Sequence, residues 1–416
     1  MQRSHVERNH VEGVRHAPIV VSEDADRFAR FALISWWDQA KLRGAKVVVV
    51  GAGAIGNELL KNLALLGVGN VVIIDLDRVE HSNLARSVLF RADDRGRPKA
   101  EVAAARVREL YPDARTRSLV ADVVHGIGLG LVRWADVVIA GLDNREARVA
   151  INQMAALAGR PWIDGAIERL SGVARMFDPE TGPCYECTMG EADRRALAHR
   201  RSCALLTREQ LETGHVPTTP TTASVIAGIQ CQELVKYLHG LETLTGRGFV
   251  FEGHSHQSYV VNYTRDPDCP SHESIGNVEP IPHGARALRA RDLLEIARAR
   301  LGAGAVVDFG RDLLSSLECA RCATSDPTFG SLGTVRERDA HCPRCGELRA
   351  PRFFSTVRGD EPFLDRTLFE LGVPLWDVPV ARNGQATLGL ELAHDATEVL
   401  GDAIAAPSPN QNEVSR

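Results

Sequence analysis

No long apolar segment occurs in this sequence. Its 416 residues contain no run of about 18 or more apolar residues, the length that a membrane-spanning helix needs. Residues 1–25 are polar and have no apolar core in front of a cleavage site, so they do not resemble a secretory signal. From these absences we expect a cytoplasmic protein that does not cross a membrane.

A strong excess of one charge is also absent. The chain has 49 basic and 54 acidic residues, which gives a net charge of -5. Because binding to a polyanion draws on a positive field, this balance does not favour nucleic acid or an acidic membrane surface as a partner.

Cysteine is scarce, with nine residues, yet six of the nine occur as Cys-x-x-Cys pairs. In a reducing compartment such pairs favour metal or redox chemistry over disulfide bonds. Two of the pairs are separated by 19 residues, a spacing typical of a zinc ribbon, and the alternative is four buried or redox thiols. The ribbon pairs are Cys319 with Cys322 and Cys342 with Cys345, and the third pair is Cys184 with Cys187.

The stretch VVVVGAGAIG places a continuous apolar run before Gly51, Gly53 and Gly56. This pattern predicts a buried parallel strand followed by a turn that brings the backbone close to a phosphate. Further strand and helix patterns alternate after it, which predicts a Rossmann-like, doubly wound α/β fold with a mostly parallel sheet. Taken alone, the glycine fingerprint favours NAD or FAD.

Changes in composition divide the chain into five parts. A small C-terminal α+β region is expected to carry the zinc ribbon, and within it Asn383-Gly384 predicts a hairpin turn. Apolar spacing over Arg27–Gly44 predicts an N-terminal helix. The parts are a disordered tail over 1–26, a nucleotide-binding domain over 27–272, a linker and helix over 273–305, the ribbon region over 306–400 and a disordered tail over 401–416.

Charged residues after the second predicted strand argue for ATP. Asp75, at the end of that strand, suits a ribose hydroxyl of NAD or ATP alike. Asn83, Arg86 and Lys99 follow it, and hydride transfer does not need that many polar and cationic groups near the phosphates. Each residue also has a structural alternative: Asn83 as a turn cap, Arg86 and Lys99 as solvated surface charges, and Asp143 as an Asx turn before a helix.

Together these residues belong to a set of stretches that resembles the ThiF/MoeB/HesA-type adenylyltransferases, which share their adenylation domain with the ubiquitin-activating enzymes. The resemblance runs in family order from Arg27 to about His272. The stretches are RFAR, GAGAIG, DLDRVEHSNLAR, RGRPKAE, GLDNREAR, IDGAIERLSG, GPCYEC, the helix from PTTAS to KYL, and RDPDC.

This resemblance implies an ATP site. It implies that the glycine loop holds ATP, that Asp75 binds the ribose, and that Asp143 holds Mg²⁺. It also implies that Arg30 reaches into the ATP site of a neighbouring subunit in a homodimer, with Arg27 as the alternative. The residues that the resemblance implies at the phosphates are Asn83, Arg86 and Lys99.

The resemblance also implies a first zinc site. Cys184 and Cys187 are expected to pair with Cys269 and His272, where the family has a second Cys-x-x-Cys. Zinc accepts three thiolates and an imidazole, so His272 can be the fourth ligand. His254 and His256 are the alternatives for that position.

Two cysteines remain. Cys231 lies among apolar residues of a predicted helix, which favours core packing. Cys203 lies beside Arg200 and Arg201 in the segment where family members with sulfur or thioester chemistry carry a reactive cysteine, although in some of them the nucleophile stands closer to the P-T-T stretch, where this chain has His215. The alternatives for Cys203 are a covalent acceptor and an ordinary surface thiol.

The sequence therefore predicts an adenylyltransferase that uses ATP, Mg²⁺ and Zn²⁺. Its expected substrate is the C-terminal glycine of a small β-grasp protein, either a ubiquitin-like modifier or a sulfur carrier. The alternatives are a peptide or tRNA-linked carboxylate, an NAD-dependent oxidoreductase, and a non-catalytic scaffold. The role of the region after residue 273 does not follow from its sequence.

Overall fold

The computed structural model describes residues 26–191, 217–335, 337–401 and 404, and within these ranges the chain forms two sheets. The first sheet has eight strands: β1 (Lys46–Val50), β2 (Asn70–Ile74), β3 (Arg115–Leu119), β4 (Val137–Gly141), β5 (Trp162–Glu168), β6 (Ser171–Phe177), β7 (Arg247–Glu252) and β8 (Gln257–Asn262). Their order is β3-β2-β1-β4-β5-β6-β7-β8, with β1 to β5 parallel and β6 to β8 antiparallel.

Helices cover both faces of the parallel part. Alternate residues of β1 enter different cores: Val47 and Val49 lie in one apolar cluster, Val48 and Val50 in the other. This arrangement confirms the predicted doubly wound fold. The helices of this part are α1 (Gln39–Gly44), α2 (Ala54–Leu66), α3 (Lys99–Leu110), α4 (Leu129–Trp134), α5 (Arg145–Ala158) and α6 (Pro220–Leu238).

Local sequence accounts for several helix ends. Asn144 and Thr219 accept hydrogen bonds at the starts of α5 and α6, and α6 has Pro220 at its first position. Gly67 ends α2 with a φ of 78°, in the left-handed region that glycine adopts without strain.

The predicted helix over Arg27–Gly44 is confirmed only for its last six residues, which form α1. A short 3₁₀ helix spans Phe31–Leu33, and α1 begins only at Gln39, where Asp38 caps it. The intervening aromatic residues are held by tertiary contacts instead, because Trp37 packs on Phe31 and His239.

The second sheet follows in the chain. Its order is β11-β10-β13-β14-β9, and β12 pairs with the other edge of β10. The strands are β9 (Val278–Pro280), β10 (Val306–Cys319), β11 (Thr324–Gly330), β12 (Ala350–Val357), β13 (Val380–Asn383) and β14 (Ala386–Glu391), and the helices are α7 (Ala290–Leu301), α8 (Glu337–Ala340) and α9 (Ala396–Leu400). The hairpin predicted at Asn383-Gly384 is confirmed by the pairing of β13 with β14.

The segment 273–305 takes part in the second sheet rather than linking two units. Its strand β9 pairs in parallel with β14, and its helix α7 buries Leu293 and Leu294 in the apolar core of the second unit. The pairing of β9 was hard to predict from the sequence because this strand has only three residues.

The unit built on the first sheet and the unit built on the second sheet meet at the start of α4, where Gly128 and Gly130 allow a close approach. A Cβ added to Gly128 would lie 2.6 Å from the carbonyl oxygen of Trp376, and one added to Gly130 would lie 2.5 Å from it. The amide of Gly130 donates to that oxygen (2.8 Å), and the amide of Leu129 donates to Asp377 Oδ1 (2.9 Å). The second unit is therefore tied to the backbone of the first.

In the part of the chain described, no helix has both the length and the apolar character needed to span a membrane.

Candidate nucleotide and metal sites

The glycine loop joins β1 to α2. Gly51 has a φ of 91°, and a Cβ at this position would lie 2.6 Å from the carbonyl oxygen of Gly141 at the end of β4. Gly53 stands at the N-terminus of α2 without a side-chain cap, and a Cβ there would meet nothing within 4 Å. The loop thus leaves the positive end of α2 open to an anion such as a phosphate.

Asp75 holds this loop from the end of β2. Its Oδ2 accepts from the amide of Ala52 (2.7 Å) and its Oδ1 from the amide of Asp77 (2.8 Å). Burial raises the pKa of Asp75 above its ordinary value, while the positive charge of Lys99 and these two amides act in the opposite direction. Asp75 lies at the end of β2, where a ribose is bound in folds of this type, and its role as a ribose ligand stays a prediction.

Lys99 is the first residue of α3, and its side chain is 12% exposed. Its Nζ lies 3.0 Å from Asp77 Oδ2, so Asp77 orients the ammonium group at the same edge of the sheet as Asp75. Asp77 is not among the residues predicted from the sequence, although its place two residues after Asp75 was a visible signal.

Asn83 and Arg86 differ in whether their side chains already have hydrogen-bond partners within the chain. Asn83 is buried and its Oδ1 accepts from the amide of Glu80 (2.9 Å), as the turn-cap alternative requires. Arg86 is half-buried and ends the 3₁₀ helix His81–Ala85. Among the described residues its guanidinium has no hydrogen-bond or ion-pair partner, so its charge is available to a ligand.

Asp143 follows β4, and the predicted Asx-turn alternative for it is wrong. The neighbouring Asn144 caps α5, its Oδ1 accepting from the amide of Ala147 (2.8 Å). Asp143 is exposed and, within the described ranges, has no hydrogen bond. A carboxylate in this state can bind a cation.

A buried ion triad supports the Asp143 loop. Asp164, on β5, pairs with Arg148 Nε (2.8 Å) and with Arg175, and Arg148 also donates to the carbonyl of Leu142 (2.5 Å). Burial acts to raise the pKa of Asp164, but the two guanidinium groups outweigh it and hold the pKa below its usual value. This triad could not be predicted from the sequence, since its members lie on the three elements α5, β5 and β6.

Arg30 and Arg27 are distinguished by their contacts. Arg27 donates from Nη1 to the carbonyl of Leu110 (3.0 Å) and lies over the ring of Tyr111. Arg30 is exposed, and in the described ranges its side chain contacts no acceptor or acidic group. Arg27 is thus engaged within its own subunit, whereas Arg30 projects into solvent.

The strand order of the first sheet brings three of the predicted nucleotide-binding residues to one edge of the sheet. Gly51, Asp75 and Asp143 follow the carboxyl ends of β1, β2 and β4, which are neighbours in the sheet. The chain turns in opposite directions from β1 and β4, and ligands of open α/β sheets bind in the crevice at such a point.

The first predicted metal site is assembled. The donor atoms of Cys184, Cys187, Cys269 and His272 all lie within 4.8 Å of one another, although the two pairs are 85 residues apart in the chain. His272 Nε2 lies 3.2 Å from Cys187 Sγ. Three thiols and an imidazole suit tetrahedral zinc. His254 and His256, in the turn between β7 and β8, are not in this group, so the alternative that named them is wrong.

The second set is also assembled. The thiols of Cys319, Cys322, Cys342 and Cys345 lie within 4.8 Å of one another, and none forms a disulfide. Cys319 ends β10, so the thiols lie at the end of the ribbon of β10, β11 and β12. Four thiolates within such a distance suit zinc better than they suit apolar packing.

Of the two remaining cysteines, Cys231 and Cys203, only Cys231 lies among the described residues. Cys231 is 4% exposed in the apolar core, and burial raises the pKa of its thiol to about 12, which agrees with a packing role. Cys203 lies outside the described residues, so its predicted role as a covalent acceptor stays a prediction.

Comparisons with known proteins show the family of this chain. Residues 25–271 match the ThiF family. The chain is 35% identical over 248 residues to the SAMP-activating enzyme E1 of Haloferax volcanii, an alignment that covers 59% of this chain and 87% of that protein. It is 32% identical over 257 residues to the sulfur carrier protein adenylyltransferase of Thermus thermophilus, which covers 60% of this chain and 90% of that protein.

Among solved structures, part of this chain resembles E. coli MccB. Its crystal structure with ATP superposes with a TM-score of 0.51 at 22% identity, covering 61% of this chain and 75% of that chain. At this identity the likeness concerns the fold alone. The family match ends at residue 271, before the second sheet begins.

The adjacent residues Asp143 and Asn144 provide a stability test. Asn144→Ala removes the cap of α5 and is expected to lower the free energy of unfolding by about 1 kcal/mol. Asp143→Ala removes an exposed carboxylate without a partner and is expected to change it by less than about 0.5 kcal/mol. Urea unfolding of both variants measures this difference, and equal losses would contradict the assignment of the cap to Asn144.

Proposed function

This chain belongs to the ThiF family, and from that premise we propose that it is an ATP-dependent adenylyltransferase acting on a C-terminal carboxylate. The observation that carries the proposal is the unengaged charge at the carboxyl edge of the first sheet. Arg86 and Asp143 have no partner among the described residues, and the adjacent glycine loop leaves the N-terminus of α2 open. A nucleoside triphosphate with its cation supplies the missing partners.

The chemistry explains why these groups are needed. A carboxylate oxygen attacks the α-phosphorus of ATP, the bond from that phosphorus to the bridging oxygen breaks, and pyrophosphate leaves. Negative charge gathers on the phosphoryl oxygens, so cations such as Lys99 and Arg86 stabilise the transition state by position and electrostatics. The product is an acyl adenylate that a later nucleophile can attack.

Asp143 is the proposed Mg²⁺ ligand. Carboxylate oxygen is a ligand that Mg²⁺ prefers, and an exposed carboxylate beside a triphosphate leaves room for the phosphate and water ligands. Bound there, the ion would neutralise charge on the phosphate oxygens. Arg148, through its hydrogen bond to Leu142, holds the loop that carries Asp143.

The proposed substrate is a small β-grasp protein, either a ubiquitin-like modifier or a sulfur carrier, that ends in glycine. The support comes from the relatives, which are named as a SAMP-activating enzyme and a sulfur carrier protein adenylyltransferase. A thioester or sulfur-transfer step after adenylation would use Cys203. The cytoplasmic location predicted from the sequence stays a prediction.

We also propose a homodimer with Arg30 acting on the partner's ATP. Arg30 is exposed and lies beside Leu33 and Trp36, which are 52% and 46% exposed. Large exposed apolar side chains next to an unpaired arginine fit a surface that a second copy covers. A C₂ contact would place the same surface of both copies together.

Both metal groups are proposed to hold structural zinc. At the first site the imidazole of His272 and three thiolates complete a closed tetrahedral set, which leaves no open position for substrate. At the second site four thiolates do the same. Zinc would stabilise the fold at both places without taking part in adenylation.

The proposed activity is tested by ATP–pyrophosphate exchange with a panel of small β-grasp proteins that end in Gly-Gly. Exchange is expected with one of them, and Asp143→Ala and Lys99→Met are each expected to lower it by about 10²-fold or more. Cys203→Ser should retain exchange, because adenylation precedes any thioester.

Lys46→Met is the matched control for Lys99→Met, since Lys46 is an exposed lysine at the amino end of β1. Exchange only with a peptide or a tRNA-linked carboxylate would reassign the substrate. Absence of ATP binding would contradict the adenylyltransferase proposal.

Mixed dimers test the role of Arg30. Co-expression of differently tagged Arg30→Ala and Asp143→Ala subunits is expected to restore about a quarter of wild-type exchange, because half of the dimers are mixed and each has one intact site. Each variant alone should be inactive. If the mixture shows no more activity than the two variants separately, Arg30 does not act across a dimer.

Metal analysis tests the zinc sites. Elemental analysis of the purified protein is expected to give two zinc ions per chain, one for each closed four-ligand group. Cys184→Ser should lose one and Cys319→Ser the other, whereas Cys231→Ala, which changes a core thiol, should keep both. A protein with no bound zinc after purification without chelator would contradict the assignment.

A further inference from the structure

We propose that Asn57 is a positioning residue for ATP, which aims the amides of the glycine loop and fixes that loop to the segment that carries Asn83 and Arg86. The inference rests on the proposed function, because it takes ATP as the ligand of this loop. It adds a residue that lies behind the loop and touches no reacting atom.

The side chain of Asn57 is completely engaged. It lies on the first turns of α2 and is 0% exposed. Its Nδ2 donates to the carbonyl oxygens of Ala52 (2.6 Å) and Gly53 (3.0 Å), and its Oδ1 accepts from the amide of Leu89 (2.8 Å). One amide group thereby links two separate segments of the chain.

These hydrogen bonds orient the peptide groups of the loop. In a trans peptide the C=O and the following N–H point in opposite directions. Since the carbonyls of Ala52 and Gly53 turn inward to Asn57, the amides of Gly53 and Ala54 turn outward. The amide of Ala52 is held separately by Asp75. The loop is thus arranged for a phosphate before one binds.

The contact with Leu89 sets the second segment. Leu89 is buried and stands three residues after Arg86, whose guanidinium is the unengaged cation described above. A shift of the 87–90 backbone would move Arg86 relative to the loop amides. Asn57 therefore fixes the distance between the amides and the cation that are proposed to contact the same triphosphate.

A buried asparagine can also serve stability alone, and Asn70 provides the comparison. It is 3% exposed, and its Nδ2 donates to the carbonyls of Ala45 (3.1 Å) and Gly44 (3.3 Å). It stands at the start of β2, the end of the sheet opposite to the glycine loop. The two residues have similar burial and similar donors, but only Asn57 touches the proposed site.

The test compares Asn57→Leu with Asn70→Leu in the full-length protein. ATP affinity is measured by calorimetry and stability is measured by urea unfolding. Activity is measured by ATP–pyrophosphate exchange with the β-grasp protein that supports exchange in the wild type. Both variants are expected to lose stability. Only Asn57→Leu is expected to weaken ATP binding and kcat/KM for ATP, by about tenfold to 10²-fold, because the loop and Arg86 lose their fixed geometry.

If Asn57→Leu does not fold, Asn57→Ser gives the same test, because its short hydroxyl cannot join the loop to Leu89. Unchanged ATP affinity in a folded Asn57 variant, or equal weakening by Asn70→Leu, would overturn the inference. Since calorimetry needs no carrier, weakened ATP binding would support the inference even if exchange failed with every carrier and only the proposed substrate were wrong.

Discussion

The close contact between the glycine loop and the end of β4 is the constraint on which the nucleotide site depends. Gly51 passes so near the carbonyl of Gly141 that a side chain could not be accommodated. This approach brings the N-terminus of α2 and the Asp143 loop to one crevice, between strands from which the chain turns to opposite faces of the sheet. A larger residue at either glycine would separate the loop amides from the Asp143 carboxylate, which are proposed to bind the phosphates and the cation of one ATP.

Buried polar groups hold that geometry from behind. Asp75 accepts from the amide of Ala52 while Asn57 donates to the carbonyls of Ala52 and Gly53, and Arg148 joins the Asp143 loop to Asp164. Removing one member of a buried charged set costs about 3–5 kcal/mol, because the remaining charge is left without a partner. Arg86 and Asp143, which are proposed to contact ATP and its cation, thus have no partner among the described residues, while Asn57 and Arg148 behind them are hydrogen-bonded. The site is therefore accessible to ATP, while hydrogen bonds behind it hold the loops in place.

The second unit is attached by backbone contacts rather than by a flexible tether. Trp376 adopts a φ of 57°, which is uncommon for a non-glycine residue, and it packs directly on the two glycines of α4. Its neighbour Asp377 binds the amide of Leu129 and lies 3.2 Å from Arg311. The ribbon of β10, β11 and β12 therefore has a defined direction relative to the first sheet. Cys319, one of the four thiols at its end, lies on β10, the strand that also carries Arg311.

The sequence by itself determined the fold class, the glycine loop and the set of Cys319, Cys322, Cys342 and Cys345, because each depends on local spacing: a continuous apolar run, three glycines, or paired thiols. Through the family resemblance it also indicated the other cysteine set and the proposed ligands Asp75, Lys99 and Asp143. Only the tertiary structure decided between Asp143 and Asn144 as the cap of α5, selected His272 over His254 and His256, and brought Asn57 to Leu89. These choices depend on contacts between residues far apart in the chain, and a three-residue strand such as β9 is stable only when a partner strand is already present.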